Sequence, residues 1–256
     1  MIAGICTDES GNIYAAGYFT NHSGNSYVAK YNGTVWSELG GANALGAARQ
    51  FIYEQNIPLC LIAGVDSLLV AGTLAAYEEK ARLLTSQNSN GFIPGEAGAA
   101  ILVGPPSASN SKSTTGDLLC LGIGQGLEKA TVDSEEPLRG DGLVQAIKAA
   151  LAEAGCSMGA MDFRITDISG EQYGFKEATL ALNRSLTEYK KENIGIWNPA
   201  DCIGDVGVAS GLAMFSVCLQ AAKKAYALGK NVLCHLSNTD QSRAAIVLAH
   251  KQGGYD

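Results

Sequence analysis

Gly91 to Val103 reads GFIPGEAGAAILV, and upstream of it Cys60 to Val70 reads CLIAGVDSLLV. In the upstream stretch an apolar run meets Gly64 and then turns small and polar, as a fully buried strand does where it ends at a tight turn. In the downstream stretch Gly91, Pro94, Gly95 and Gly98 precede a second apolar run, Ala99 to Val103. Glycines that dense let backbone pass close to backbone, so a strand is expected to start against something already packed. Glu96 sits inside this small-residue nest. An unpaired buried charge is very costly, so its carboxylate is expected to be held by backbone N–H groups.

The chain has 256 residues, enough for one large domain, or one domain plus an appendage, with an ample core. Hydrophobic residues at 46% and charged ones at 17% imply much buried surface. A net charge of −7, with no Lys/Arg block, argues against nucleic-acid or anionic-membrane partners. No apolar run reaches membrane-spanning length, and residues 1–20 lack the basic start and apolar run of a signal peptide. Cys6, Cys60, Cys120, Cys156, Cys202, Cys218 and Cys234 are scattered, mostly within apolar runs and never in CxxC or metal spacing. Reduced core cysteines in a cytoplasmic protein are the expectation. His22, His235 and His250 are too dispersed for a metal site, so neither metal nor cofactor is expected.

Residues 1–41 read differently from 42–256. Short strands at Asn12–Ala16, Tyr27–Tyr31 and Val35–Leu39 alternate with Gly/Asn-rich turns, and the segment resembles about one blade of a β-propeller repeat. A single blade cannot bury both faces of its sheet. From Ala42 the period lengthens. Helices are expected at Ala44–Gln55, Gly72–Leu84, Asp141–Gly155, Phe175–Leu186 and Gly207–Leu228. Strands are expected at Leu59–Val65, Leu118–Gly122, Phe163–Ile168, Asn231–Ser237 and Ala244–His250. Pro105 to Thr115 reads as a Ser-rich linker, Gly124 to Gly142 as a long surface loop, and Trp197-Asn198-Pro199 as a rigid turn. Strands alternating with helices argue for an α/β fold with a buried sheet. His235, in an apolar strand, is expected to be a hydrogen-bonded core residue.

Three of these pieces in order carry a resemblance. Ala63-Gly64-Val65, then Arg82 to Ser86, then Asn90-Gly91-Phe92 with Gly95-Glu96-Ala97-Gly98-Ala99, resemble the "AGG", "R-x-F-D/T-S" and "D-G-F-x-x-G-E-G-A" segments of the β-ketoacyl synthase branch of the thiolase superfamily. With Gly207-Val208-Ala209-Ser210-Gly211 and Asn238 to Ala244, the resemblance runs from about Ala42 to Lys251. It implies a thiolase-like layered α-β-α-β-α fold, here with an incomplete first half and a short β-rich segment in front.

The catalytic groups of that family are not matched. No cysteine stands between Cys6 and Cys60, although the nucleophile position falls near Leu39 to Gly41. Ser169 falls where "H-G-T-G-T" has its histidine, and Asp205 where "S-N-I-G-H-T" has its second. Without these groups a decarboxylative condensation has no covalent carrier and no oxyanion donors. The resemblance therefore implies a pseudoenzyme: a binder of acyl thioesters, carried on acyl carrier protein or coenzyme A, or a scaffold subunit in a homodimer or in a heterodimer with an active synthase. An acyltransferase or thioesterase-like enzyme is the alternative. Glu171 or Asp205 would then be its base, Ser169 or Cys202 its nucleophile, and Phe92 and Asn238 its substrate contacts. Helix capping accounts for Asp205 without any chemistry. A third reading makes residues 1–40 an extracellular binding repeat.

Overall fold

The computed structural model describes residues 2–7, 13–17, 28–31, 36–39, 41–106, 117–188, 193–239 and 241–250, with backbone alone before residue 42. The linker expected at Pro105–Thr115 lies mostly outside these. Strands β1 (Ile2–Thr7), β2 (Ile13–Gly17), β3 (Val28–Tyr31) and β4 (Trp36–Leu39) form a four-stranded antiparallel meander. Three of them lie within one residue of expectation; β1 was not anticipated.

Helix α1 (Gly41–Glu54) leads into β5 (Cys60–Ser67), which pairs antiparallel with β6 (Glu96–Val103). The inner face of this hairpin, Ile62, Ala99, Ile101 and Val103, packs with Leu45 and Ala48 of α1 and with Leu212 and Phe215 of α6 (Ser210–Lys223). Beyond that helical layer lies a five-stranded sheet in the order β7 (Leu118–Leu127), β11 (Ser242–His250), β10 (Asn231–Ser237), β8 (Phe163–Thr166), β9 (Gly195–Trp197). Strands β8, β9 and β10 run parallel, and β11 is antiparallel to both its neighbours. Its second face, Leu233, Ala245 and Val247, packs on α3 (Asp141–Ala154) and α4 (Gln172–Ser185). Both faces of β10 and β11 are thus covered, which is why their sequences are apolar throughout rather than alternating.

Several elements depart from expectation for identifiable reasons. Strand β7 continues to Leu127 where a loop was expected. Gly122, Gly124 and Gly126 lie directly against the backbone of α3, where a Cβ on any of them would come under 3.0 Å from the carbonyl oxygens of Ala150, Ala146 and Gly142. This seam leaves no apolar alternation to read. Helix α2 (Ala71–Glu79) stops short because Arg82 to Leu84 are drawn into pairing: Phe92 N–H donates to Arg82 O and Leu84 N–H to Phe92 O. Gly207–Ala209 form a 3-10 turn ahead of α6. Trp197 belongs to an edge strand, not a turn, with its ring 4.6 Å from that of Phe163. Cys120 and Cys202 are exposed, whereas Cys218 and Cys234 are buried as expected.

His235 is buried as expected, yet neither ring nitrogen has a hydrogen-bond partner among the described residues. Burial, with Arg164 nearby, depresses its pKa to about 3, so the ring is neutral. Glu96 is exposed and accepts a hydrogen bond from Ser67 Oγ at 3.0 Å; among the described residues the nest of backbone donors expected around it does not form. The α3 terminus follows expectation, with Gly155 in the left-handed region at φ 64° closing the helix. No helix among the described residues is long and apolar enough to cross a membrane.

Candidate active site

The quoted Gly91–Val103 stretch builds one wall of the site. Gly95 N–H donates to Asp205 O at 2.7 Å, and Asp205 N–H donates to Ile93 O at 2.7 Å, so the segment is laced to the loop before α6. A side chain at Gly95 would collide with Ile203 O and one at Gly91 with the Leu83 backbone, which is the close backbone approach the glycines implied. Phe92 is fully buried and meets Tyr77 edge-on at 4.9 Å between ring centroids.

Ser169 and Asp205, far apart in sequence, touch. Ser169 Oγ donates to Asp205 Oδ2 at 3.1 Å, and Asp205 Oδ1 accepts Gly207 N–H at 3.0 Å. Asp205 thus closes a local turn onto Gly207 and engages Ser169 as well, while the N-cap positions of the 3-10 turn and of α6 are Val206 and Ala209, so the helix cap expected of Asp205 does not form. Burial raises its carboxyl pKa, opposed by the hydrogen bonds from Gly207 and Ser169 and by Arg82.

Glu171 is committed elsewhere. Arg82 Nε and Nη2 grip its two carboxylate oxygens at 2.8 and 2.6 Å, with both side chains largely buried. The guanidinium also lies over the rings of Tyr77 (5.4 Å) and Phe92 (5.8 Å). A bidentate, stacked counter-ion engages both oxygens of the Glu171 side chain. Cys202 is exposed on the short helix α5 (Ala200–Ile203), and Asn238 is exposed on the β10–β11 turn. Among the described residues no hydrogen bond joins either to the Ser169–Asp205 pair.

Sequence reading missed three contributors. Arg82 was read only as the last turn of an expected helix and the start of the Arg82–Ser86 segment, with no partner. Asp66, buried, accepts Ser67 N–H and Val208 N–H, tying β5 to the 3-10 turn. Asp167 accepts Ser237 N–H at 2.9 Å and lines a cavity of about 10 Å³ with Thr166, Ile203, Val206 and Met214, room for one water. Burial drives the Asp167 pKa up to about 7. A carboxyl raised from about 3.9 in the unfolded chain favours the fold fully below that pH, and this contribution is lost as pH rises through the folded value. The Asp167→Asn variant is accordingly expected to gain stability relative to the parent between about pH 4 and 7. Urea unfolding across that range measures it; a difference independent of pH would show that Asp167 titrates normally.

No protein-family model and no curated protein matches the sequence. Solved structures do match. The ketosynthase ApeO, determined in complex with its chain length factor ApeC from Xenorhabdus doucetiae, aligns over 82% of this chain and 58% of its own, at 14% identity and a TM-score of 0.67. A β-ketoacyl synthase from Burkholderia phymatum aligns over 83% and 59%, at 14% identity and a TM-score of 0.68. The ishigamide ketosynthase/chain length factor aligns over 83% and 59%, at 18% identity and a TM-score of 0.64. The chain spans about three-fifths of the length of these proteins. With its mixed five-stranded sheet between helical layers, the chain has the thiolase-like fold of the ketosynthases and chain length factors.

Proposed function

We propose that this chain is a ketosynthase-like protein that does not condense, acting as an acyl-thioester binder or as the scaffold subunit of a dimer whose other member is an active synthase. The Ser169–Asp205 hydrogen bond carries the reading. Condensation needs donors aimed at a developing enolate and oxyanion. Here one position holds a hydroxyl whose proton is spent on Asp205. The other holds a carboxylate that already accepts from Ser169 and Gly207. Both of those bonds use Asp205 as an acceptor, so neither position aims a donor at the reacting group. No cysteine lies between Cys6 and Cys60, the stretch in which the resemblance places the carrier thiol. Support for a paired state comes from the fold's occurrence in a ketosynthase bound to its chain length factor.

The same hydrogen bond supports a second reading, in which Asp205 takes the Ser169 proton, the Ser169 oxygen attacks the thioester carbonyl, and the C–S bond breaks to leave an acyl-serine and a thiolate that takes the proton back from Asp205. One experiment separates the two. Purified protein is incubated with acetyl-, hexanoyl- and decanoyl-coenzyme A and weighed intact by mass spectrometry. No covalent increment is expected on folded protein. A stable acyl increment mapping to Ser169 or Cys202 would establish thioester chemistry and end the non-catalytic reading.

A further inference from the structure

Arg164 is a buried cation without a counter-charge. It leaves β8 on the sheet face that α4 covers and is 7% exposed. Among the described residues it makes one hydrogen bond, from Nη1 to Ala178 O of α4 at a long 3.3 Å, and its Nε is buried with no acceptor. The ion pairs of the described residues use Arg49, Lys80, Arg82, Arg184 and Arg243 instead. Glu177, the buried carboxylate of α4, is taken by Arg243 and by Ser237 Oγ. Burial with no opposing charge lowers the Arg164 pKa to about 10, so the guanidinium remains charged at neutral pH.

His235 stands beside it. In the parallel pairing of β8 with β10, Arg164 lies opposite Leu233 and His235 opposite Thr166, so the two side chains share one face of the sheet, one strand apart. Leu233, on that same face, packs in the α3–α4 layer. His235 is 1% exposed, and both of its ring nitrogens are without partners among the described residues. A neutral imidazole always carries one N–H. The layer under α4 thus encloses two buried donors, one of them on a full positive charge, with no acceptor for either. A buried ion left unpaired is among the costliest features a fold can carry, and an unmatched buried donor adds to it. Water could accept from both but brings no charge.

We propose that this layer is a binding site for one small monovalent anion of chloride size, which accepts from Arg164 Nε and from the N–H of His235. The valence follows from the single guanidinium. With Glu177 already matched by Arg243, a divalent anion would leave a buried negative charge in its turn. The size follows from enclosure, since Ala178 and Leu233, the neighbours of Arg164 on helix and sheet, are buried as well. Bound there, the anion ties β8 to α4, the two elements whose connection carries Ser169 and Glu171. The site is built from other residues and does not depend on whether those two meet an acyl thioester.

The full chain is unfolded thermally at neutral pH and constant ionic strength, with chloride replacing gluconate, an anion too large to enter. Raising chloride about a hundredfold through saturation is expected to lift Tm by at least about 4 °C, along a saturating curve. Crystals soaked in bromide are expected to show an anomalous peak within about 3.5 Å of Arg164 Nε. The Arg164→Met variant removes the charge with little change in volume. It is expected to be at least as stable as the parent without chloride, and to gain nothing when chloride is added. The proposal is overturned if chloride leaves the parent's Tm unchanged, the result for a layer filled by water alone. It also fails if the gain rises without saturating, which marks a general salt effect, or if Arg164→Met gains as much as the parent, which places the ion elsewhere. Absence of the bromide peak at Arg164 overturns it whether or not the variant folds.

Discussion

Replacing Gly124 by alanine is expected to cost at least about 4 kcal/mol, in the range reserved for severe core errors. A single added methyl at this position has no soft neighbour to push aside. Its Cβ would come under 3.0 Å from Ala146 O and from Ala150 N, both backbone atoms of α3. Ordinary overpacking costs about 1–3 kcal/mol because side chains change rotamer. Here relief requires lifting the whole helix off β7, which uncovers Ala146, Ile147 and Ala150 together. Thermal unfolding is the measurement, and a drop in Tm of roughly 10 °C or more is expected for a chain this size. Gly46→Ala in α1 is the control: nothing lies within 4 Å of its would-be Cβ, so helix propensity alone acts, and a gain of about 0.5–1 kcal/mol is expected. Equal effects at the two positions would disprove the seam.

Breaking the Arg243–Glu177 pair from one side is expected to cost about 3–5 kcal/mol, in either Arg243→Met or Glu177→Leu, because each leaves a buried charge uncompensated. Both side chains are 1% exposed and meet at 2.7 Å. Glu177 also accepts from Ser237 Oγ, and Arg243 donates to Asn238 O and to Tyr173 OH, so the pair anchors the β10–β11 turn to α4. The double variant removes both charges and is expected to recover most of the loss, since an apolar pair of similar volume replaces an ion pair at little cost. A double-mutant cycle by denaturant unfolding reads the coupling directly. Additive losses would show that the two side chains contribute independently and that the network is not a unit.

These two tests fall on opposite sides of what could be read in the chain. The boundaries of α3 and β10 were legible because their signals are local: an apolar period of one helix face ending at Gly155, and an unbroken apolar run in a doubly covered strand. Strand β7 beyond Gly122 was not, because its defining feature is a neighbour. Alternating glycines signify a strand only when a helix backbone lies across them. Trp197 failed for a similar reason, since three residues of edge strand carry too little period to outweigh the adjacent proline. At the site, Ser169, Asp205 and Arg82 could each be named from their places in a motif, but the partner of Arg82 could not. An arginine in a turn says nothing of the carboxylate 89 residues away that it grips.

From sequence alone came the alternation of strands and helices after Ala42, the glycine-dense segment that must lie against other backbone, and the expectation that Ser169 and Asp205 fall where the resembled family has histidines. Each follows from local pattern or residue chemistry, which the chain carries at every position. Tertiary structure decided which carboxylates are committed: Glu171 to Arg82, Asp205 to Ser169 and the helix turn, Asp167 to Ser237 with its pKa raised by burial. It also decided that, among the described residues, β7 is the edge of its sheet and lies between two helices. Charge state, pairing and exposure are set by groups distant in sequence and near in space, so only the folded chain determines them.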